Sequence, residues 1–180
     1  LGDTVIIGAP AEDEGGADAG AVYIFTRSGD TWTQQDKLVA SDASVAANFG
    51  VSVALDNNSV VVGADQEGGV GAAYVFTLSV ATWSEQAKLN ASDNASGDQF
   101  GLAVDISTDT VLVGAPKSDV DVGAAYIFQR SAGIWSEQQK LLSSDLVAPF
   151  NQFGSAVSIA DSTAVVSDFY AANQLNTNGY

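Results

Sequence analysis

Apolar positions along this chain come in short runs of strand length, and their spacing is that of β structure rather than of an amphipathic helix. Val51-Ser-Val-Ala-Leu55 alternates, Val60-Val-Val62 is a short apolar run, Tyr74-Val-Phe76 combines aromatic and β-branched residues, and Trp83 to Leu89 is apolar mainly at its two ends. Turn-forming residues lie between these runs, at Asp56-Asn-Asn58, Gly68-Gly69, Leu78-Ser-Val-Ala81 and Asp93 to Gly97. The pattern predicts four strands, named A to D in chain order.

The same unit returns along the chain. Ala21-Val-Tyr-Ile-Phe25 recurs as Ala72-Ala-Tyr-Val-Phe76 and Ala124-Ala-Tyr-Ile-Phe128, at steps of 51 and 52. Trp32, Trp83 and Trp135 keep those steps, as do Lys37-Leu38, Lys88-Leu89 and Lys140-Leu141, and Ser41-Asp42, Ser92-Asp93 and Ser144-Asp145. Phe49-Gly50, Phe100-Gly101 and Phe153-Gly154 open strand A of successive units, while Gly8-Ala-Pro10, Gly63-Ala-Asp65 and Gly114-Ala-Pro116 close strand B. Four strands in about fifty residues is the size of a propeller blade, so the expected fold is all-β, a β-propeller of four-stranded antiparallel blades. Blades stack face to face, so Gly50, Gly101 and Gly154 are expected to leave room for a neighbouring backbone. On strand D, period two places Trp32, Gln34, Asp36 and Leu38 on one face, and likewise Trp83, Glu85, Ala87 and Leu89.

The chain opens at strand B (Thr4 to Ile7), continues through C and D and two whole blades, and reaches A and B again (Gly154 to Val166), with a further C strand expected at Gly179-Tyr180. Blade boundaries fall at 1–48, 49–99, 100–152 and 153–180 within one domain. About three and a half blades is fewer than a closed ring holds, and a half ring exposes two apolar blade faces. The remaining blades of a ring of about seven are expected from a longer chain or from a second copy of this one.

Composition narrows the chemistry. The 180 residues carry 22 acidic and 6 basic side chains, a net charge of −16, and no Cys, His or Met. That excludes disulfides, Cys/His zinc sites and any nucleophile paired with His within this chain. Six scattered basic residues in so acidic a chain argue against a nucleic-acid partner, and no apolar run is long enough to insert in a membrane. Gly68-Gly-Val-Gly71 lacks the Lys and the following helix of a phosphate loop.

Phe-Gly opening the blade, Gly-Ala-Pro closing its second strand and a length near fifty residues together resemble the FG-GAP repeat, known from the propeller of integrin α subunits and from many secreted microbial proteins. Gly123-Ala-Ala-Tyr-Ile-Phe128 with Trp135-Ser-Glu-Gln-Gln-Lys-Leu141 is similar to the microbial branch. The resemblance implies an extracellular, secreted binding or adhesion module without catalytic activity. The alternatives are a structural subunit of an extracellular filament or matrix, and an enzyme acting on polysaccharide through paired carboxylates. Integrin-type blades hold Ca²⁺ in an Asp-x-Asp-x-Asp-Gly loop between strands A and B. Here Leu55-Asp-Asn-Asn-Ser59, Ile106-Ser-Thr-Asp-Thr110 and Ala160-Asp-Ser-Thr163 have no three alternating carboxylates, and tight polar turns are expected instead.

The carboxylates concentrate in the B–C connections, with Glu12, Asp13, Glu14 and Asp18 in the first, Asp65 and Glu67 in the second, and Asp119 and Asp121 in the third. The D–A connections share that end of a blade and add Asp42, Asp93, Asp98 and Asp145, so one rim is expected to be strongly negative. Three readings of the rim are open. It is a solvated surface that keeps a Gly- and Ala-rich chain soluble. It binds Ca²⁺ or Mg²⁺ through Glu12, Asp13, Asp18 or the Asp119/Asp121 pair. Or Glu12, Asp13, Asp18, Asp65, Glu67, Asp119 and Asp121 contact a protein, glycan or cationic partner, as loops on this face do in the family it resembles. Trp32, Trp83 and Trp135 recur at the blade period and are read as packing residues rather than sugar platforms, and Tyr23, Tyr74 and Tyr126 as structural. Asn57, Asn90 and Asn94 begin N-glycosylation patterns on expected turns, meaningful in a eukaryotic secreted source.

Overall fold

A computed structural model describes residues 3–144 and 151–168. The expectations for Asp145 and for a strand at Gly179-Tyr180 lie outside the described residues. The first sheet contains β1 (Thr4–Ala9), β2 (Ala21–Ser28) and β3 (Thr31–Leu38). The second contains β4 (Ser52–Asp56), β5 (Ser59–Ala64), β6 (Ala72–Ser79) and β7 (Thr82–Leu89). The third contains β8 (Ala103–Ser107), β9 (Thr110–Ala115), β10 (Ala124–Ser131) and β11 (Ile134–Leu141), and β12 (Phe153–Ala160) pairs with β13 (Thr163–Asp168). Every sheet is an antiparallel meander in chain order: two run A-B-C-D, the first is B-C-D and the last is A-B.

Apolar residues fill the spaces between sheets. Val22, Ile24 and Leu38 of the first sheet meet Val60, Val62 and Phe76 of the second and Phe49, which precedes β4, while Val61, Val75 and Leu89 on its other side meet Val111 and Phe128 of the third and Phe100, which precedes β8. One strand therefore feeds two cores, which is why Val60, Val61 and Val62 are all fully buried. Phe49 sets its ring edge against Tyr74 and Phe76 at 5.3 and 5.9 Å, and Phe100 repeats this with Tyr126 and Phe128 at 5.5 and 6.0 Å.

At the inner end the two glycines of the repeat meet across the seam between sheets. A Cβ on Gly8, Gly63 or Gly114 would lie 1.9, 1.9 or 2.0 Å from the carbonyl oxygen of Gly50, Gly101 or Gly154 of the next sheet. The room expected at Gly50, Gly101 and Gly154 is thus used by the backbone of the preceding blade. In β13 the equivalent position is Ser167, since Val166 pairs with Val157 as Val113 pairs with Val104.

Strand D departs from the expected alternation. Ile24 pairs with Asp36 but Phe25 with Gln34; Val75 pairs with Ala87 but Phe76 with Glu85; Ile127 pairs with Gln139 but Phe128 with Glu137. Gln35, Gln86 and Gln138 are extra residues in a bulge, and a bulge exchanges the faces beyond it. Trp32 and Gln34 share the Phe25 side, whereas Asp36 and Leu38 lie with Ile24 and Val22, so the single face expected for these four residues is split, and the same holds for Trp83 and Glu85 against Ala87 and Leu89. The exchange carries Lys37, Lys88 and Lys140 onto the side of Tyr23, Tyr74 and Tyr126, with each ammonium 5.5, 5.2 and 5.5 Å from its ring centre. Trp83 and Trp135 are half-buried against the two cores.

Candidate functional site

At the end of the blades where the B–C and D–A connections meet, each bulge-delivered lysine organises a small polar node. In the second blade the Tyr74 hydroxyl donates to Asp42 Oδ1 at 2.8 Å, and Lys88 Nζ donates to Asp42 Oδ2 at 2.7 Å and to Glu67 Oε1 at 3.1 Å. In the third, Tyr126 donates to Asp93 at 2.9 Å, and Lys140 bridges Asp93 and Asp119, both at 2.7 Å. Asp42 and Asp93 belong to the connection leaving the preceding blade, so each node ties two blades together. Their serine neighbours add a second tie: the N–H and hydroxyl of Ser41 donate to Glu85, and those of Ser92 to Glu137. In the first blade Lys37 is held by Glu12, at 2.8 Å, and by Glu14.

The electrostatics follow from these contacts. Burial pushes the Asp42 carboxyl up, but hydrogen bonds from Lys88 and Tyr74 outweigh it and hold Asp42 below its ordinary value. The Lys140 hydrogen bond, against burial, likewise holds Asp93 down, and the Lys37 hydrogen bond holds Glu12 down. Burial, with the Asp93 carboxylate adding to it, pushes Tyr126 up to about 12, so its hydroxyl remains a donor well into alkaline conditions.

The acidic residues singled out by the sequence all lie in these connections, but the structure distributes them over separate contacts. Glu12, Glu67 and Asp119 are lysine partners. Asp13 accepts the N–H of Asp18 at 2.9 Å and closes the first loop. Asp65, 5% exposed, accepts from Asn48 at 3.1 Å and Gln66 at 2.8 Å. Asp119 and Asp121 line an open cleft of about 630 Å³ with Asp93, Asp98 and Lys117, and Lys117 is the basic side chain with no carboxylate partner among the described residues. No three carboxylates among the described residues converge as a ligand set for one cation. Over the cleft, Asp119, Val120 and Asp121 form a left-handed turn with φ of 53, 61 and 65°, and Val120 is 86% exposed. Of the glycosylation patterns, Asn57 and Asn90 are exposed as expected, whereas Asn94 is half-buried with its Oδ1 enclosed.

The lysines, tyrosines and serines of the nodes were visible in the sequence as repeat markers, not as a polar network. Their recurrence beside the conserved-spacing aromatic was the signal; the pairing was hidden because Asp42 and Lys88 are 46 positions apart.

Successive sheets of one four-strand pattern, joined by a glycine seam and by a recurring tyrosine, lysine and aspartate contact, define a blade-repeat protein. The sequence model of the FG-GAP repeat matches residues 1–25, 32–76, 83–128 and 135–179, and the chain belongs to the FG-GAP repeat family. The second and third matched units open on the strand D tryptophans, Trp32 and Trp83, and close on the strand C phenylalanines, Phe76 and Phe128. No curated protein matches the chain. FG-GAP repeats are non-catalytic modules, and the chain is assigned as one. No helix among the described residues is long and apolar enough to cross a membrane.

Proposed function

We propose that the chain is a segment of an extracellular, secreted binding or adhesion module that presents its B–C and D–A connections to a protein or glycan partner. Its remaining blades, in a ring of about seven, come from a longer chain or a second copy. The observation that carries the reading is the turn Asp119–Asp121. Left-handed backbone at a β-branched residue costs about 1–2 kcal/mol, and here it holds an apolar side chain in solvent between two carboxylates, where it packs nothing. The node beneath it, Tyr126, Lys140 and Asp93, gives that tip a rigid base. Glu12, Asp13 and Asp18 extend the same acidic rim on the first blade and favour partners with cationic or hydroxyl-rich groups, whereas Asp65 and Glu67, expected as contact residues, are buried and occupied by Asn48, Gln66, Ser44 and Lys88.

Ca²⁺ belongs to this proposal as an assisting ion, through Asp13 and Asp18 or through Asp119 and Asp121. Millimolar Ca²⁺ that leaves the melting temperature unchanged removes the ion from the reading. The reading itself is tested by the double variant Val120→Gly, Asp121→Asn, assayed on arrayed glycans and on intact cells. The expected result is an unchanged or higher melting temperature with loss of binding; full binding by the variant overturns it. A second reading, a subunit of an extracellular filament or matrix, rests on the stacked blade repeat, whose faces suit lateral contact, and ordered polymers in native preparations distinguish it.

A further inference from the structure

The seam between the second and third blades holds an arginine that the seam between the first and second lacks. Arg130 pairs across its hairpin with Trp135, its guanidinium lies 5.1 Å from the centre of that ring, and its Nε donates to Asp109 at 2.7 Å. Its Nη1 reaches back to the second blade, 3.2 Å from Gln86 Oε1 and 3.5 Å from Ser59 Oγ, and the Trp135 indole N–H donates to the same Gln86 oxygen at 2.9 Å. Arg27, Trp32 and Asp3 repeat the arginine, indole and carboxylate in the first blade. In the second blade the arginine is replaced by Leu78, paired with Trp83, and the aspartate by Asn58. The Asn58 carbonyl accepts the Leu78 N–H as the Asp3 and Asp109 carbonyls accept those of Arg27 and Arg130, so the positions are equivalent.

Where an arginine head would lie, the seam between the first and second blades has a cleft of about 180 Å³. Leu78 and Trp83 line one side, and Thr4, Gln35 and Asp36 the other. Thr4 and Gln35 hold the places of Ser59 and Gln86, the two residues that Arg130 reaches across its own seam. Asp36 is a further difference, since Ala87 and Gln139 stand there in the other blades. Asp36 Oδ1 accepts the N–H of Lys37 at 2.9 Å, while its Oδ2, the Gln35 amide and the Trp83 indole N–H have no hydrogen-bond partner among the described residues. The loss of the arginine and its aspartate in one blade is thus matched by a carboxylate gained on the facing blade.

We infer that this cleft is a binding site for an arginine side chain of a partner protein, whose guanidinium takes the place that Arg130 fills in the next seam. The planar cation lies against Trp83, donates to Gln35 and Thr4 as Arg130 does to Gln86 and Ser59, and sets its charge against Asp36. Lysine offers a compact, strongly hydrated ammonium with no plane to stack, so the site selects arginine. Strand C runs from the B–C connection to the C–D hairpin, so the cleft, beside the hairpin residue Ala81, lies at the opposite end of the blades from the acidic rim. The inference rests on the equivalence of the blades and not on the rim.

Nα-acetyl-arginine amide, titrated into the whole protein while the indole N–H resonances of Trp32, Trp83 and Trp135 are followed by NMR, tests the inference. Saturable displacement of the Trp83 signal alone is expected at millimolar probe, that signal being the one missing from Trp83→Phe. The neutral citrulline analogue is expected to leave it in place, and Nα-acetyl-lysine amide to bind about tenfold more weakly. Asp36→Asn is expected to weaken the arginine probe about tenfold. Leu78→Arg with Asn58→Asp gives the second blade an arginine of its own; this variant is expected to keep or raise the melting temperature and to abolish binding. No movement of the Trp83 signal at tens of millimolar probe overturns the inference. Equal shifts at all three tryptophans, lysine bound as tightly as arginine, or binding indifferent to Leu78→Arg with Asn58→Asp overturn it too. Free arginine bound more tightly than the capped form points to a small molecule and overturns the assignment to a partner side chain. The rim variant Val120→Gly, Asp121→Asn is expected to bind the probe as the unaltered protein does, so failure at the rim and failure at this cleft are scored separately.

Discussion

Asp42 and Asp93 are single side chains that each hold a tyrosine and a lysine of the next blade. A carboxylate whose folded value is lowered stabilises the fold above its unfolded value and loses that contribution as pH falls through the folded one. Asp42→Asn and Asp93→Asn should therefore each cost about 1 kcal/mol near neutral pH, a figure kept small because both carboxylates are about half exposed. The gap in denaturation midpoint between unaltered protein and variant should narrow as pH drops below the ordinary aspartate value of 3.8. A gap that stays constant from pH 7 to pH 2.5 would sink the linkage. Sequence reading placed both aspartates on the correct rim, because they recur beside serine at the blade period. It could not pair them, since the partner lysine is brought into reach by folding and not by spacing.

The hairpins and outer strands show where local pattern ran out. Val80 and Ala81 join β6 to β7 with φ of 48 and 66°, and Val80 is 98% exposed. Two left-handed residues in a tight hairpin are the geometry that Asn-Gly adopts without strain. Val80→Asn with Ala81→Gly is accordingly expected to raise stability by about 1–2 kcal/mol in chemical denaturation; no gain would mean that the turn relaxes to another form. The turn's position was legible from the strand runs on either side. The bulge in strand D was not: Gln35, Gln86 and Gln138 sit in a polar stretch where no apolar residue marks the phase, so strict alternation ran through them unchecked. That one residue decides which way Lys37, Lys88 and Lys140 point.

At the scale of the molecule, repetition made the fold legible: Phe-Gly, Gly-Ala and Tyr-x-Phe at one period required stacked, four-stranded units before any contact was known. The contact between the glycines was half legible, because close approach was expected but its partner was not. It yields a sharp comparison. Gly114→Ala places a Cβ 2.0 Å from the Gly154 carbonyl oxygen and should cost about 3 kcal/mol, while Gly133→Ala, with nothing within 4 Å and only its φ of 82° to resist, should cost about 1 kcal/mol. Equal costs in denaturant unfolding would dissolve the seam as a stability determinant.

The seam also bears on divergence. At the inner end, where neighbouring blades touch main chain to main chain, the closest approach is set by peptide geometry, which every sequence shares, while the apolar side chains between the sheets set the spacing farther out. Loops at the rim can then drift in length and charge, as the first B–C connection has, without changing the curvature of the array. The repeat thus separates inheritance of shape from inheritance of surface: the glycine seam and the buried core between sheets keep the arc, and the exposed loop positions outside the core and the nodes are free to acquire partners.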